Sequence, residues 1–178
     1  MWNVVTLDGY FEGEKAWDLD FHGLVWGDEL ERFVTEQLNT VGGLVFGANT
    51  YKGMADYWQK ENGEIADGMN SLKKYVCSAT LQKADWNNTT IIKDAVAELP
   101  KLKAEDGKDL YVFGSGELSD SLIKAGLFDE YRLCVAPVIL GRGKKLFAEG
   151  LPRTNLSLLE ARPLKSGGVI LKYGRKGS

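Results

Sequence analysis

Residues 110–118 read LYVFGSGEL, and this stretch decides the fold class. Its apolar half, residues 110–113, predicts a buried strand, and the turn Gly114-Ser115-Gly116 leads into a helix predicted over about residues 117–125. Glycine allows positive φ and a close ligand approach, while the free amides at a helix start attract anions. The stretch therefore predicts a βα unit whose turn suits a phosphate, although a purely structural left-handed turn explains the two glycines about as well.

Further βα units precede this one. Apolar residues spaced by three and four from Leu30 to Val41 predict a helix that begins at Asp28 and is stopped by Gly42-Gly43. Additional strands are predicted at residues 2–7, 44–46, 75–77 and 89–92, and additional helices at residues 49–58 and 94–103, the last bent or ended by Pro100.

The alternation changes after residue 128. Residues 128–140 form a long β-rich run, and residues 156–161 and 169–173, separated by the turn 165–168, predict a closing antiparallel hairpin. Together these elements predict an α/β protein with a mixed, mostly parallel sheet, flanking helices and antiparallel strands at the C-terminal edge. A chain of 178 residues with 44% hydrophobic residues is expected to form one domain over residues 1–178.

Composition narrows the function classes. The 22 Lys and Arg nearly balance the 25 Asp and Glu, and the pI near 5.3 predicts no broad basic surface for nucleic acid or membrane lipid. The chain starts without a signal-peptide pattern, so a cytoplasmic location is expected. One histidine and two cysteines without a CxxC pair leave little room for zinc or nucleophilic chemistry, and no metal site is predicted. If the chain is an enzyme, a bound cofactor is expected to supply the chemistry.

Three predicted turns follow strand ends, where ligands sit in open α/β sheets. Each alone is explained by helix capping or by a structural turn, but together they predict a site for one extended phosphate-bearing ligand. Their residues are Gly47, Asn49 and Thr50; Ser78, Ala79 and Thr80; and Gly114, Ser115, Gly116, Glu117 and Leu118.

A basic loop and several acids are further candidates. Residues 140–147 read LGRGKKLF, which suits a phosphate or a solvated surface loop. Asp8 lies in a predicted turn, and Asp28 and Glu29 begin a helix whose dipole they complement. A carboxyl in an apolar cleft is also suited to hold a heterocycle or supply a proton. The aromatic residues Trp17, Phe21 and Trp26 are suited to stacking on a flat ring or to core packing.

Four segments in this order resemble one family: TLDG at residues 6–9, VFGANTY at 45–51, YVFGSGEL at 111–118 and LGRGKKLF at 140–147. The chain resembles, from residue 4 to 173, the C-terminal reductase domain of the bifunctional riboflavin-biosynthesis deaminase-reductase and its stand-alone dihydrofolate-reductase-like relatives. The resemblance implies a dihydrofolate-reductase-like three-layer fold with helices on both faces of the sheet. It also implies NADPH as cofactor, with NADH not excluded, and a homodimer.

The same resemblance implies residue roles. Gly47 to Thr50 and Ser78 to Thr80 surround the adenosine phosphates, and Gly114 to Leu118 follow the pyrophosphate. Asp8, Trp26 and Arg142 bind substrate, and the catalytic acid near the start of the first helix maps onto Asp28 or Glu29.

Three positions depart from the family pattern and limit which residue roles transfer from the family to this chain. Ala48 stands where many relatives have an arginine that contacts the phosphate distinguishing NADPH from NADH. The preference for NADPH over NADH is therefore open, unless Lys52, Lys83 or the hydroxyls supply that contact. Phe113 replaces an acidic residue typical of riboflavin-pathway reductases. Residues 24–28, LVWGD, only partly match the loop of dihydrofolate reductases.

The resulting hypothesis is an NAD(P)H-dependent reductase of a pterin-like or pyrimidine-like small molecule, related to 5-amino-6-(5-phosphoribosylamino)uracil reductase. The alternatives are a dihydrofolate reductase proper, a dinucleotide-binding module without catalysis and a purely structural dimer.

Overall fold

A computed structural model describes residues 1–105 and 107–176 of the chain. The strands are β1 Trp2–Thr6, β2 Tyr10–Glu12, β3 Val41–Gly47, β4 Lys73–Cys77, β5 Thr89–Ile92, β6 Asp109–Val112, β7 Glu130–Ala136, β8 Lys144–Lys145, β9 Leu156–Pro163 and β10 Val169–Arg175. The helices are α1 Asp28–Thr40, α2 Ala48–Trp58, α3 Glu64–Ser71, α4 Ala95–Ala104 and α5 Gly116–Lys124, with a short 3₁₀ helix at Asp20–Leu24.

The main sheet consists of two four-stranded halves. One half has the parallel order β5-β4-β3-β6, and the other has the order β1-β7-β10-β9, in which β1 and β7 are parallel and β10 is antiparallel to both neighbours. A single parallel bridge between Trp2 and Phe113 joins β1 to the end of β6. The short strands β2 and β8 pair separately in an antiparallel ribbon. The predicted mixed sheet with a closing antiparallel hairpin is confirmed.

Helices cover both faces of this sheet. Along β3, Leu44 and Phe46 face one apolar cluster, while Val45 faces the other, so the strand is buried on both sides. The first cluster receives side chains from α1, α2 and α3, and the second receives side chains from α4 and α5. The predicted three-layer arrangement is therefore confirmed.

The prediction that Gly42-Gly43 stops the first helix is wrong. Helix α1 ends at Thr40, Val41 already has extended backbone at ψ 144°, and both glycines lie inside β3. A Cβ on Gly43 would lie 2.9 Å from the Tyr75 ring of the neighbouring strand. Close strand packing, and not helix termination, explains Gly43.

Two other differences concern helices. Pro100 does not end α4, which continues to Ala104, because buried Leu99 anchors the helix and the proline removes a single backbone donor. Helix α3 is absent from the sequence prediction.

None of the helices in the described part of the chain is long and apolar enough to cross a membrane.

A buried lysine fixes α3 against the sheet. The Nζ of Lys74 donates to the carbonyls of Asn70 and Leu72, both at 2.7 Å, and lies 4.6 Å from the Trp86 ring centroid. Burial lowers the pKa of Lys74 to about 8. Trp86 donates its backbone amide to the Tyr51 hydroxyl at 2.9 Å, which ties α2 to the same cluster.

Candidate functional site

The turns after β3 and β6 lie side by side at the carboxyl edge of the sheet. This follows from the topology, because β3 and β6 are parallel neighbours. The Gly47 amide donates to the Ser115 hydroxyl at 2.8 Å, and a Cβ on Gly114 would lie 3.3 Å from Cγ2 of Thr50. The chain therefore brings together two of the three turns that the sequence singles out.

The turn after β6 has an unusual backbone. Gly114 and Ser115 both have left-handed conformations, with φ of +55° and 61°. Buried Ser115 also donates its hydroxyl to the Phe113 carbonyl at 3.3 Å, and Ser119 donates to the Gly114 carbonyl at 3.2 Å. Two consecutive left-handed residues require glycine or strong bracing, and this turn has both.

Helices α2 and α5 both start at this place without a side-chain cap. Gly47 precedes α2 and Ser115 precedes α5, and neither helix start receives a capping hydrogen bond. Asn49 and Thr50 therefore do not cap α2, which removes the simplest structural explanation for them. Helices α1 and α3 also begin without a side-chain cap, whereas Asp94 caps α4 by accepting from the Ala97 amide at 3.0 Å. What distinguishes the starts of α2 and α5 is that they lie next to each other. Two uncapped helix starts leave several amides and two positive helix-dipole ends next to each other.

The third turn lies one strand further out. Gly47 pairs with Cys77 across β3 and β4, so Ser78, Ala79 and Thr80 follow directly beside the first turn. The Ser78 hydroxyl accepts from the Leu81 amide at 3.0 Å, which leaves its own proton free to donate.

Two lysines lie near this third turn. The Nζ of Lys93 donates to the Ala79 carbonyl at 3.3 Å and to the Leu81 carbonyl at 2.5 Å. Lys83 is instead ion-paired with Asp85 at 2.6 Å. In these contacts the charge of Lys93 meets neutral carbonyls, whereas the charge of Lys83 meets a carboxylate. Sequence reasoning missed Lys93.

Asp8 holds the loop after β7. Its carboxylate accepts from the Thr6 hydroxyl at 2.7 Å, from the Leu140 amide at 3.1 Å and from the Gly141 amide at 2.7 Å. Burial pushes the pKa of Asp8 upward, but these hydrogen bonds to the charged form outweigh it and lower the pKa to about 2. Asp8 is therefore ionised at neutral pH and does not serve as a proton donor there.

The cations of the basic loop have partners from the segment after β1. Arg142 pairs with Glu14 at 3.1 Å, Lys144 pairs with Glu12, and Lys145 lies 5.9 Å from the Tyr10 ring centroid. The substrate role of Arg142 stays a prediction, but its guanidinium is already engaged by a carboxylate.

The acids at the start of α1 lie in different surroundings. Glu29 accepts from the Lys165 amide at 2.7 Å, which fastens α1 to the β9–β10 turn. Asp28 is exposed and lines a shallow groove on the outer face of α1 that also contains Arg32 and Glu64. The catalytic roles of both acids stay predictions.

An apolar surface lies where β1 and β7 end. The Leu7 amide donates to the Val138 carbonyl at 2.9 Å, and the side chains of Leu7 and Ile139 are 67% and 71% exposed. Trp26, predicted on the substrate side, is 50% exposed and follows the 3₁₀ helix. Sequence reasoning missed Leu7 and Ile139, although Leu7 directly follows β1 and Ile139 comes shortly after the end of β7.

The opposite edge of the sheet carries a separate cavity. It has a volume of about 340 Å³ and lies among the starts of β6 and β7 and the ends of α4 and α5. The predicted site residues do not occur among its described lining residues. Within residues 1–105 and 107–176, no cluster of three or more His, Cys, Asp or Glu side chains is placed to hold a metal ion.

The mixed sheet is covered by helices on both faces and carries glycine turns at its carboxyl edge. This architecture defines a dihydrofolate-reductase-like α/β protein. Residues 1–170 match the model of the RibD C-terminal domain. The chain belongs to this family, which consists of oxidoreductase-type domains.

A curated relative and several solved structures resemble the chain over nearly its whole length. The chain is 33% identical over 179 residues to the uncharacterized protein YyaP of Bacillus subtilis (strain 168), covering 98% of this chain and 93% of that protein. A protein of Shewanella sp. PV-4 assigned provisionally to riboflavin biosynthesis superposes with a TM-score of 0.79 at 21% identity, covering 98% and 97%. RibD of Acinetobacter baumannii superposes with a TM-score of 0.71 at 16% identity over 98% of this chain and 57% of RibD. The two structures establish the fold.

Proposed function

We propose that this protein is an NAD(P)H-dependent reductase of a pterin-like or pyrimidine-like small molecule. The observation that carries the proposal is the pair of uncapped helix starts, α2 and α5, held together by the Gly47–Ser115 hydrogen bond. Such a pair offers amide donors and positive dipole ends to a pyrophosphate. Membership in a family of reductase-type domains supports the same reading.

The strand order supports an extended ligand across the edge. Four strand intervals separate β4 from β7, which corresponds to about 19 Å at the usual spacing of neighbouring strands. A dinucleotide laid along this edge has its pyrophosphate over the turns after β3 and β6. Its adenosine then lies at residues 78–80, and its nicotinamide lies toward exposed Leu7, Ile139 and Trp26.

The residues present fit such a ligand. Gly114 lies close against Thr50, which holds the two glycine turns together, and the Ser78 hydroxyl retains a free proton. Ala48 brings no charge to the start of α2, so Lys93 is the cation that we assign to a phosphate on the adenosine side. When bound, the dinucleotide supplies the hydride, and the chain contributes orientation and proximity.

The protein groups near the acceptor side favour water as the proton source. Asp8 is ionised at neutral pH, because its pKa is about 2. Glu29 is engaged by the Lys165 amide. We therefore assign orientation, and not proton donation, to these two carboxylates.

The test is a titration of the purified protein with NADPH and NADH, followed by nicotinamide fluorescence. Dihydrofolate and a substituted aminopyrimidine are then offered as acceptors while oxidation of the cofactor is recorded. Micromolar binding of NADPH with acceptor-dependent oxidation is the expected result. No dinucleotide binding at millimolar concentration refutes the proposal.

A dinucleotide-binding module without turnover is the second candidate. The observation in its favour is that Asp8, Glu29 and Arg142 are all engaged by other protein groups. NADPH binding without oxidation by any acceptor favours this candidate, and oxidation of NADPH with dihydrofolate alone favours a dihydrofolate reductase proper.

We also propose a cytoplasmic homodimer. Leu156, Leu158 and Leu159 are exposed on the edge strand β9, which supports self-association, and free Cys77 and Cys134 suit a reducing compartment. Sedimentation equilibrium of the purified protein tests the dimer, and a monomer at micromolar concentration contradicts it.

A further inference from the structure

The segment of residues 10–18 contacts both helices that begin at the paired turns. A Cβ on Gly116, at the start of α5, would lie 3.2 Å from the Phe11 ring. A Cβ on Gly53, in α2, would fall inside the indole ring of Trp17. This segment thus spans from one helix to the other next to the turns after β3 and β6.

Hydrogen bonds and an ion pair shape the 10–18 segment. The Glu12 carboxylate accepts from the Trp17 amide at 2.6 Å and pairs with Lys144. The Gly13 amide donates to the Asp18 carbonyl at 2.9 Å. These bonds close residues 13–18 into a loop that presents Trp17.

Trp17 and Gly53 each carry a conformational cost. Trp17 has a left-handed backbone with φ 65°, which is unfavourable for a non-glycine residue. Glycine inside a helix is less favourable than alanine. Both unfavourable features are needed for the same contact, in which the Trp17 indole packs on Gly53.

The indole lies one turn of α2 away from Thr50 at the proposed site. Gly53 follows Thr50 by three residues, so both lie on the same face of α2, and Thr50 contacts Gly114. On that face, Thr50 lies against the turn after β6 and Gly53 lies against the segment that follows β2. The Trp17 side chain rests on Gly53 and is still 44% exposed, so part of its ring remains open to a ligand.

We propose that Trp17, seated on Gly53, is the aromatic surface on which the flat heterocycle at the reacting centre stacks. This inference rests on the proposed function, because the ring is either the nicotinamide or the acceptor. Trp17 positions that ring, and Gly53 acts through Trp17 by leaving room for the indole. Stacking of a flat ring on an aromatic side chain strengthens binding, and we expect a loss of affinity of about tenfold without it.

Three variants test the inference: Trp17→Ala, Trp17→Phe and Gly53→Ala. Trp17→Ala removes the ring, while Trp17→Phe retains a smaller one and is expected to restore most of the affinity. Gly53→Ala displaces the indole, because the added Cβ overlaps the Trp17 ring, and urea unfolding of this variant separates a loss of binding from a loss of folding. In the double variant, Gly53→Ala is expected to have no further effect once Trp17 is alanine.

The probes are NADPH, adenosine 2′,5′-bisphosphate and dihydrofolate. An unchanged bisphosphate affinity with NADPH weakened about tenfold in Trp17→Ala and Gly53→Ala supports stacking of the nicotinamide. Unchanged NADPH affinity with dihydrofolate weakened to the same extent supports stacking of the acceptor.

Other outcomes overturn the inference. These are equal weakening of all three probes, unchanged binding of all three, or additive effects of the two substitutions. If the unaltered protein binds no NADPH, the proposed function fails on that result alone. The Trp17 inference then stands or falls on whether dihydrofolate binds and whether Trp17→Ala weakens it.

Discussion

Lowering the pH from 7 to 5 is expected to destabilise this protein through His22, the one histidine of the chain. His22 lies in the 3₁₀ helix before α1, and its Nε2 is buried without a hydrogen-bond partner in the described part of the chain. Its ring contacts Phe21 edge-on at 4.9 Å between centroids. Burial lowers the pKa of His22 from 6.5 to about 4, because the charged imidazolium loses its hydration there.

The sign and size of the effect follow from proton linkage. The unfolded chain takes up the proton near pH 6.5 and the folded chain near pH 4, so stability is intact above pH 6.5 and falls as the pH decreases toward 4. The loss is about 2 kcal/mol at pH 5 and about 3 kcal/mol once the pH is below both values. Since the His22 carbonyl accepts from the Val25 and Trp26 amides, the entry into α1 is the region expected to loosen first.

Urea unfolding at pH 7 and pH 5, with His22→Gln as the control, measures this loss. The buried amine of Met1, whose pKa is lowered to about 5 by burial, also costs stability over this range, but it contributes equally to both proteins and cancels in their difference. An NMR titration of the single imidazole gives the folded pKa directly. An imidazole that titrates near 6.5, or a control with the same pH dependence as the unaltered chain, would refute the reasoning.

Three further predictions concern the proposed site. Gly114→Ala places a Cβ on a left-handed backbone, so it should lower the free energy of unfolding by about 1–2 kcal/mol and weaken NADPH binding measured by fluorescence. The control Gly63→Ala, also left-handed but with open space around it, should destabilise without changing that binding. Lys93→Ala should raise the Kd for NADPH about five- to tenfold and leave NADH binding unchanged, whereas Lys83→Ala, whose amine is already ion-paired, should change neither in the same titration. Asp8→Asn should remove the part of the acid-unfolding curve between pH 3.8 and about 2. The ionised carboxylate stabilises the fold above that range and loses this effect as it is protonated. Circular dichroism against pH records the curve, and a curve unchanged by the substitution contradicts the role of Asp8.

The paired turns could be predicted from the sequence because their signals are local. A buried apolar run followed by glycine and a helical period marks each βα unit, as in residues 110–118. The adjacency of Gly47 and Gly114 then follows from parallel pairing of their strands. The family resemblance adds the roles of these turns, which the residues alone leave open.

Features that depend on long-range register could not be predicted. Arg142 pairs with Glu14, which is distant in the sequence, and no local sequence pattern predicts that ion pair. Helix α3 is short, buries only Ala66 and Met69 fully, and contains Gly68 against Leu38, so its stability comes from tertiary packing. The contact of Trp17 with Gly53 likewise depends on two segments that meet only in the folded chain.

The single Trp2–Phe113 bridge has a consequence for how the molecule comes apart. The half-sheet β5-β4-β3-β6 is built from one continuous stretch of chain, while the other half is built from both ends. Such a stretch can open as one cooperative unit while the remainder stays folded. Amides of β3, β4 and β6 are then expected to exchange with solvent at one common rate, distinct from that of β7 and β10, and a dinucleotide that touches both halves should merge the two rates.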